Sequence, residues 1–458
     1  MQVLGTWGPI LKIVVVGCNA AGLNAAVASR KNSRDAEILM IESEPHLAYS
    51  RCGLPFLISG DIKSAQDLVV YGPGYYRMMG FQFRVNTTAI KLLHDRKQLV
   101  VEREGVSEVI PYDRLVLATG SEAFVPPIGG LDLPRVHGLR TLEDGMRLKE
   151  AVGRASVVVV IGGGLIGLEA AAATVSLGLR TTVVEMVDQI APNMLDPDMA
   201  QLLRRRLEEA GMRIITGRPV QEIAEADDAC HVITKDEKLQ ADLVVLAAGA
   251  RPRTELARTA GLEIGVTGGI RVNDRLQTSV PDIYAAGECA EVTHFITGKP
   301  VLCQLGTTSV RAGKVAGTNA SGGNKALSGV LCSSVSKLLE TEVGSTGLTR
   351  RAAEHDGVRT LAGKVTGRTR AIYYPQGDEL TTKLLFEQQT WRLVGGQIIG
   401  GEDVNQRINL LTMAILSGMT VHDLENLETC YTPPLSDTWE PSIHGASEAA
   451  LAKLRRLN

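Results

Sequence analysis

The chain has 458 residues, 44% of them apolar, and a formal net charge of −3; this is enough for about three domains of ~150 residues, each with a buried core. The near-neutral balance offers no basic face for nucleic acid, and no apolar run is long enough to span a membrane. Seven scattered cysteines, with no metal spacing to the eight histidines, argue against both a disulfide framework and a metal site.

In chain order, Met1 to Pro9 lacks a basic stretch followed by a long apolar core. No secretory leader is therefore expected, and the protein is expected in the cytoplasm. Ile10 to Val16 is an apolar run ending at Gly17, Ala20 to Arg30 an alanine-rich helix, and Glu37 to Ile41 a run ending at Glu42. Strand, glycine turn, helix, strand and acid make a βαβ nucleotide-binding unit. A lone cysteine follows in Ala48-Tyr49-Ser50-Arg51-Cys52-Gly53-Leu54-Pro55, and Gly53 to Ser59 is expected to start a helix. Arg114 to Leu117 then enters Ala118-Thr119-Gly120.

Beyond the linker signals Pro126-Pro127 and Gly129-Gly130, the βαβ pattern returns. Ser156 to Ile161 meets Gly162-Gly163-Gly164-Leu165-Ile166-Gly167, then an alanine-rich helix, then Thr181 to Val184 ending at Glu185. Leu243 to Leu246 enters Ala247-Ala248-Gly249, and Pro281 to Gly287 reads as a return to the first unit. The remainder has strand-like segments at Ala371 to Tyr374, Thr382 to Phe386 and Gln397 to Ile399. Helices are expected near Asn405 to Leu416 and Ser447 to Leu457. The expected fold class is α/β. A Rossmann-like domain of residues 1–125 and 251–327 is split by an inserted Rossmann-like domain of 126–250, and residues 328–458 form a smaller α+β domain.

Gly162, Gly164 and Gly167 complete G-x-G-x-x-G. The first glycine permits the turn, the second lets a pyrophosphate approach the backbone, and the third lets helix pack on strand. Glu185, 18 residues after Gly167, can accept from a ribose 2′-OH and would repel a 2′-phosphate, which favours NADH over NADPH. The first turn, Gly17-Cys18-Asn19-Ala20-Ala21-Gly22, has Asn19 at its middle position. Ala118-Thr119-Gly120 and Gly287-Glu288 support it, since an acid at 288 suits the ribityl chain of a flavin. Together these imply FAD in the split domain and NAD in the inserted one. Glu42, Arg51, Glu169 and Gly249 are further candidate cofactor-binding positions.

These motifs, occurring in order, are similar to those of the pyridine nucleotide-disulfide oxidoreductase superfamily over nearly the whole chain. The sequence resembles most its single-cysteine branch: coenzyme A-disulfide reductases, NAD(P)H persulfide or polysulfide reductases, and NADH oxidases and peroxidases. The resemblance rests on Cys52-Gly53-Leu54-Pro55, Ala118-Thr119-Gly120, Gly162 to Glu169 and Pro281 to Gly287. It implies a homodimer whose C-terminal dimerisation domain completes the active site of the other copy.

Leu57 stands where dithiol members carry a second cysteine, and Ala20 stands where NADH peroxidases and oxidases carry a histidine beside the sulfur. Tyr431-Thr432-Pro433-Pro434 and Tyr373-Tyr374-Pro375 resemble coenzyme A-disulfide reductase segments, which implies that Tyr431, with Tyr373 or Tyr374, faces the sulfur of the other copy as an acid. Arg30 and Lys31 are candidates for coenzyme A phosphates, although Tyr75 replaces a usual lysine. Ala48, Leu165 and Glu288 also depart from the family pattern.

The expected activity is NAD(P)H-dependent reduction of a small disulfide, persulfide or polysulfide, possibly linked to coenzyme A, through FAD and Cys52. Arg51 and the following helix would favour the thiolate. The alternatives are an NADH oxidase that makes peroxide or water, and an NADH-coupling subunit of a larger iron–sulfur redox complex. Cys430 reads either as a second redox thiol or as a small packing residue, and Cys18, Cys289, Cys303 and Cys332 as core residues.

Overall fold

A computed structural model describes residues 10–457; the Met1–Pro9 segment, the ground for expecting no leader, lies outside them. The chain divides into two compact units. One runs to Leu54 and adds Lys63–Glu122 and Ala250–Val330; the other holds Pro55–Ile62, Ala123–Gly249 and the chain from Leu331 onward.

In the first unit, strands Lys12–Val16, Glu37–Ile41, Phe81–Arg84, Arg114–Leu117 and Ile283–Ala285 form one parallel sheet with Lys12–Val16 at its centre. Such a strand is covered on both faces, which explains its unbroken apolar sequence: Ile13, Val14, Val15 and Val16 are all buried. Helix Ala20–Asn32 packs on helix Gly306–Ala320 at backbone distance. A Cβ on Gly313 would stand 2.2 Å from the Ala21 carbonyl oxygen, and one on Gly317 would stand 2.0 Å from that of Ala25. Only glycine admits this approach.

The second unit contains another five-stranded parallel sheet, ordered Arg213–Ile215, Arg180–Val184, Val157–Ile161, Leu243–Leu246, Val136–Gly138. It also contains a five-stranded antiparallel sheet ordered Ser334–Leu338, Thr341–Gly347, Leu393–Gly400, Glu379–Glu387, Thr360–Arg368. Helices Val404–Leu416 and Ala446–Leu457 complete it. The fold is α/β, with two Rossmann-like parallel sheets and an antiparallel C-terminal sheet. Among the described residues no helix is long and apolar enough to cross a membrane, and no group of three metal-ligating side chains occurs.

One expected strand is absent. Ala371 to Tyr374 lies in the loop between Thr360–Arg368 and Glu379–Glu387. The loop closes through Thr369 N–H to the Asp378 carbonyl (2.9 Å) and Thr369 Oγ1 to Glu402 (2.9 Å), so Ile372 and Tyr373 point outward at 81% and 70% exposure.

A buried charge network joins helix Pro197–Glu209 to the antiparallel sheet. Lys383 Nζ lies 2.8 Å from Asp196 Oδ2 and 2.6 Å from Asp198 Oδ1, with side-chain exposures of 7% for the lysine and 1% for Asp196. Burial alone would raise the Asp198 carboxyl, but hydrogen bonds from Lys383 and Lys364 outweigh it and bring it to about 2. Its stabilisation is therefore complete above the unfolded value of about 3.9 and is lost as pH falls toward 2. Lys383→Met leaves Asp196 buried without its cation and is expected to cost ~3–5 kcal/mol of unfolding free energy at neutral pH. Urea titrations at pH 7 and through the acid range check both statements; an unchanged midpoint at pH 7 contradicts the first.

Candidate active site

The two glycine turns are built alike. Gly17 N–H donates to the Ile41 carbonyl at 2.8 Å, and Gly162 N–H to that of Val184 at 2.9 Å. The next residue in each turn donates its N–H to the acid that ends the second strand: Cys18 to Glu42 and Gly163 to Glu185, both at 2.7 Å. Gly17 and Gly162 have φ of +94° and +112°. A Cβ there would stand 2.1 Å from the Ala118 carbonyl oxygen in the first turn and 2.3 Å from that of Ala247 in the second. The ends of strands Arg114–Leu117 and Leu243–Leu246 thus run directly beneath the turns, which accounts for Ala118-Thr119-Gly120 and Ala247-Ala248-Gly249. Gly22 and Gly167 lie so close to the carbonyls of Gly17 and Gly162 (1.7 and 2.0 Å from a built Cβ) that any side chain would push the helix away.

The middle position differs. Gly164 caps helix Leu165–Ser176 with φ −73°, and no atom comes within 4 Å of a built Cβ, so nothing in the fold itself requires a glycine there. Asn19 takes the equivalent place with φ −82°, a conformation open to any residue. Its Oδ1 accepts from Ala20 N–H at 2.9 Å, while its Nδ2 is buried without a partner among the described residues. A buried unmade donor is costly, and a phosphate oxygen is a suitable acceptor for it. Ala20 and Ala21 follow in the first turn of the helix.

Glu42 is pushed above the usual carboxylate range by burial, against the lowering effect of the Cys18 and Glu44 N–H groups. Glu185 accepts from Gly163 and from Val187 N–H (2.9 Å), which orients its carboxylate. Arg51 Nη2 meets Glu44 Oε1 at 2.7 Å, and its guanidinium lies 5.6 Å from the Tyr49 ring; Tyr49 in turn donates to Glu44 at 2.6 Å. The arginine is thus turned toward Glu44, and its Nε is buried without a partner among the described residues. Glu42 and Glu288 also act on its charge.

Glu288 accepts from Ser121 Oγ at 2.6 Å, and Gly287, at φ +86°, leaves 2.8 Å between a built Cβ and that of Ala21. Sequence reasoning missed the unpartnered amide of Asn19, Glu44 as the holder of Arg51 and Ser121 as the partner of Glu288. The last pair is 167 residues apart and carries no local signal.

Cys52 is exposed, in a 3₁₀ turn Arg51–Gly53 that leads into helix Leu54–Ser59, on which Leu57 is buried. Cys18, Cys230, Cys289 and Cys303 are buried, whereas Cys332 is only partly covered and Cys430 is exposed. The core reading therefore fails for Cys332, which has a left-handed φ of +51° just before strand Ser334–Leu338, and the packing reading fails within this chain for Cys430.

In the other unit, the Tyr373 and Tyr431 hydroxyls are in hydrogen-bond contact, both side chains are exposed, and Tyr374 is half-buried. The bond to Tyr373 holds the Tyr431 phenol above its usual value. Glu169 accepts from Ser336 Oγ at 2.7 Å and is raised by burial. Gly249 has φ +118° and open space at its Cβ. Arg30 donates to the carbonyls of Met79, Arg34 and Gly80, a brace that leaves two of its five N–H groups for an anion; Lys31 is exposed. Ala48 donates its N–H to the buried Tyr76 hydroxyl at 3.2 Å.

Known proteins place this geometry. Residues 11–313 match the pyridine nucleotide-disulphide oxidoreductase family and residues 334–443 match its dimerisation domain. The chain is 40% identical to an NADH oxidase of Methanocaldococcus jannaschii, over 97% of this chain and 99% of that protein. It is 31% identical to an NAD(P)H coenzyme A polysulfide/persulfide reductase of Pyrococcus horikoshii, over 94% and 97%. The structure of an NAD-dependent persulfide reductase from A. fulgidus superimposes with a TM-score of 0.95 at 35% identity, covering 98% of this chain and 84% of that one. From its glycine turns to its C-terminal sheet, the chain belongs to the pyridine nucleotide-disulphide oxidoreductase family.

Proposed function

We propose that this oxidoreductase reduces a small disulfide, persulfide or polysulfide through Cys52, working as a homodimer in which Tyr431 of a second copy serves each thiol. The carrying observation is the exposed Cys52 in its 3₁₀ turn, with buried Leu57 in place of a second sulfur. The family uses FAD and NAD(P)H, and when bound these supply the hydride and the two electrons that the sulfur needs.

Gly17, Asn19, Ala20, Ala21 and Gly22 would hold the FAD pyrophosphate, with Asn19 Nδ2 as a donor to it. Glu42 would take its ribose, and Glu288 its ribityl chain. Arg51, Thr119 and Gly120 line the same sheet end. Gly162, Gly164 and Gly167 would hold NADH, with Glu185 selecting it over NADPH; Glu169 and Gly249 flank that turn.

The Cys52 thiolate attacks one sulfur of the substrate, the substrate S–S bond breaks, and the other half leaves as a thiolate. Two electrons then cleave the mixed disulfide to restore the Cys52 thiolate and release the second half. An ordinary phenol already lies above an ordinary thiol, and the bond to Tyr373 holds Tyr431 higher still, so Tyr431 acts chiefly by donating a hydrogen bond to the departing sulfur. Tyr373, in contact with it, orients that hydroxyl. Tyr431→Phe is expected to lower kcat for disulfide reduction about tenfold while flavin reduction by NADH keeps its rate; rates equal to those of the wild type in both steps contradict the role.

The 40% identity to a protein named NADH oxidase favours oxygen as a second acceptor. Against it, Ala20 presents a methyl group where an oxygen-cleaving acid would stand. Side-by-side turnover with coenzyme A disulfide, polysulfide and oxygen tests the choice: faster turnover with oxygen than with either sulfur substrate overturns the sulfur reading.

A further inference from the structure

The second unit holds a hollow of about 390 Å³, lined by Asp196, Pro197, Asp198, Arg350, Ala362, Lys364, Lys383 and Lys453. Four cationic residues and two acidic ones thus line it. Those carboxylates are turned to internal partners. Asp196 accepts from Arg350 N–H at 2.7 Å and pairs with Lys383 at 2.8 Å, while Asp198 pairs with Lys383 and, at 2.9 Å, with Lys364. Lys383 and Lys364 are therefore neutralised, and two positive charges remain, on Arg350 and Lys453. Arg350 is exposed, and Lys453 uses one of its three N–H groups on the Ala362 carbonyl at 2.7 Å.

The walls are fixed from several directions. Asp196 N–H donates to Gln397 Oε1 at 2.8 Å, and Lys383 is paired in register with Gln397 across the antiparallel sheet. Asp196 also precedes the thirteen-residue helix Pro197–Glu209, whose Met199 and Ala200 N–H groups donate to the Asp196 carbonyl at 3.0 and 2.9 Å, so its backbone is fixed beside the hollow. The hollow thus combines room for a small organic molecule, an excess of two cations and a preorganised backbone.

We propose that this hollow binds a small phosphate-bearing dianion between Arg350 and Lys453. Arg350 supplies a planar fork to two phosphoryl oxygens and Lys453 a point charge to the third. The site shares no residue with the glycine turn at Gly162 or with Cys52, so it stands or falls independently of the proposed reaction.

The test is calorimetric titration of the FAD-bound protein, saturated with NAD⁺ so that the glycine turn cannot take the probe. Inorganic phosphate is one probe and glucose 6-phosphate the other, at constant ionic strength. Saturable binding of one equivalent per chain is expected. It should weaken about tenfold or more in the Arg350→Ala, Lys453→Met double variant and persist in Lys91→Met, which removes an exposed cation elsewhere. Stronger binding of glucose 6-phosphate than of phosphate identifies a phosphorylated metabolite as the occupant; the reverse identifies the free ion. Absence of saturable binding, or equal binding by the double variant with an unchanged melting temperature, overturns the proposal.

Discussion

Cys52→Ser is expected to leave reduction of the bound flavin by NADH at its normal rate and to lower disulfide or persulfide reduction by ~10³-fold or more. Serine is nearly isosteric with cysteine and position 52 is exposed, so the turn is kept. The oxygen cannot form the mixed disulfide through which electrons pass to substrate. No other cysteine lies in that turn, and the second exposed one, Cys430, belongs to the other compact unit. Stopped-flow absorbance of the flavin separates the two half-reactions. A variant that reduces disulfide at near wild-type rate removes Cys52 from the mechanism.

Two alanine substitutions in one glycine turn are expected to fail in different ways. Gly162→Ala places a Cβ 2.3 Å from a backbone oxygen at a φ of +112°. Neither the turn nor the strand beneath can yield cheaply, and a loss of more than ~4 kcal/mol of stability is expected. Gly164→Ala puts its Cβ into open space at an ordinary φ. The fold should be kept, yet the methyl stands where the pyrophosphate would approach the backbone, and KM for NADH is expected to rise about tenfold or more. Unfolding curves and NADH titrations on both variants decide the matter. A Gly164→Ala protein with unchanged KM would place the dinucleotide elsewhere.

Much of this was legible in the sequence, for a physical reason. A parallel strand covered on both faces must be continuously apolar, and a first helical turn where a Cβ would stand within about 2 Å of a carbonyl oxygen must carry glycine; both constraints are local. The βαβ units at Gly17 and Gly162 could therefore be read to within two residues or so of their ends. What escaped reading depends on distant contacts. Adjacency in sequence suggested that Arg51 serves Cys52, but Glu44 and Tyr49 draw the guanidinium to themselves. Asn19 reads as a broken glycine motif until its backbone is seen to be unstrained and its Nδ2 unpartnered. Ala371 to Tyr374 is apolar enough for a strand, yet Ile372 and Tyr373 point outward from a hairpin loop. Local apolarity does not reveal whether a segment packs on its own sheet or presents its surface.

Mass spectrometry of Cys52 in protein quenched during turnover, with coenzyme A disulfide and limiting NADH, tests the central claim most directly. The expected result is a mixed disulfide at Cys52 that disappears when NADH is in excess. An unmodified Cys52 in protein that consumes the disulfide at full rate would contradict it.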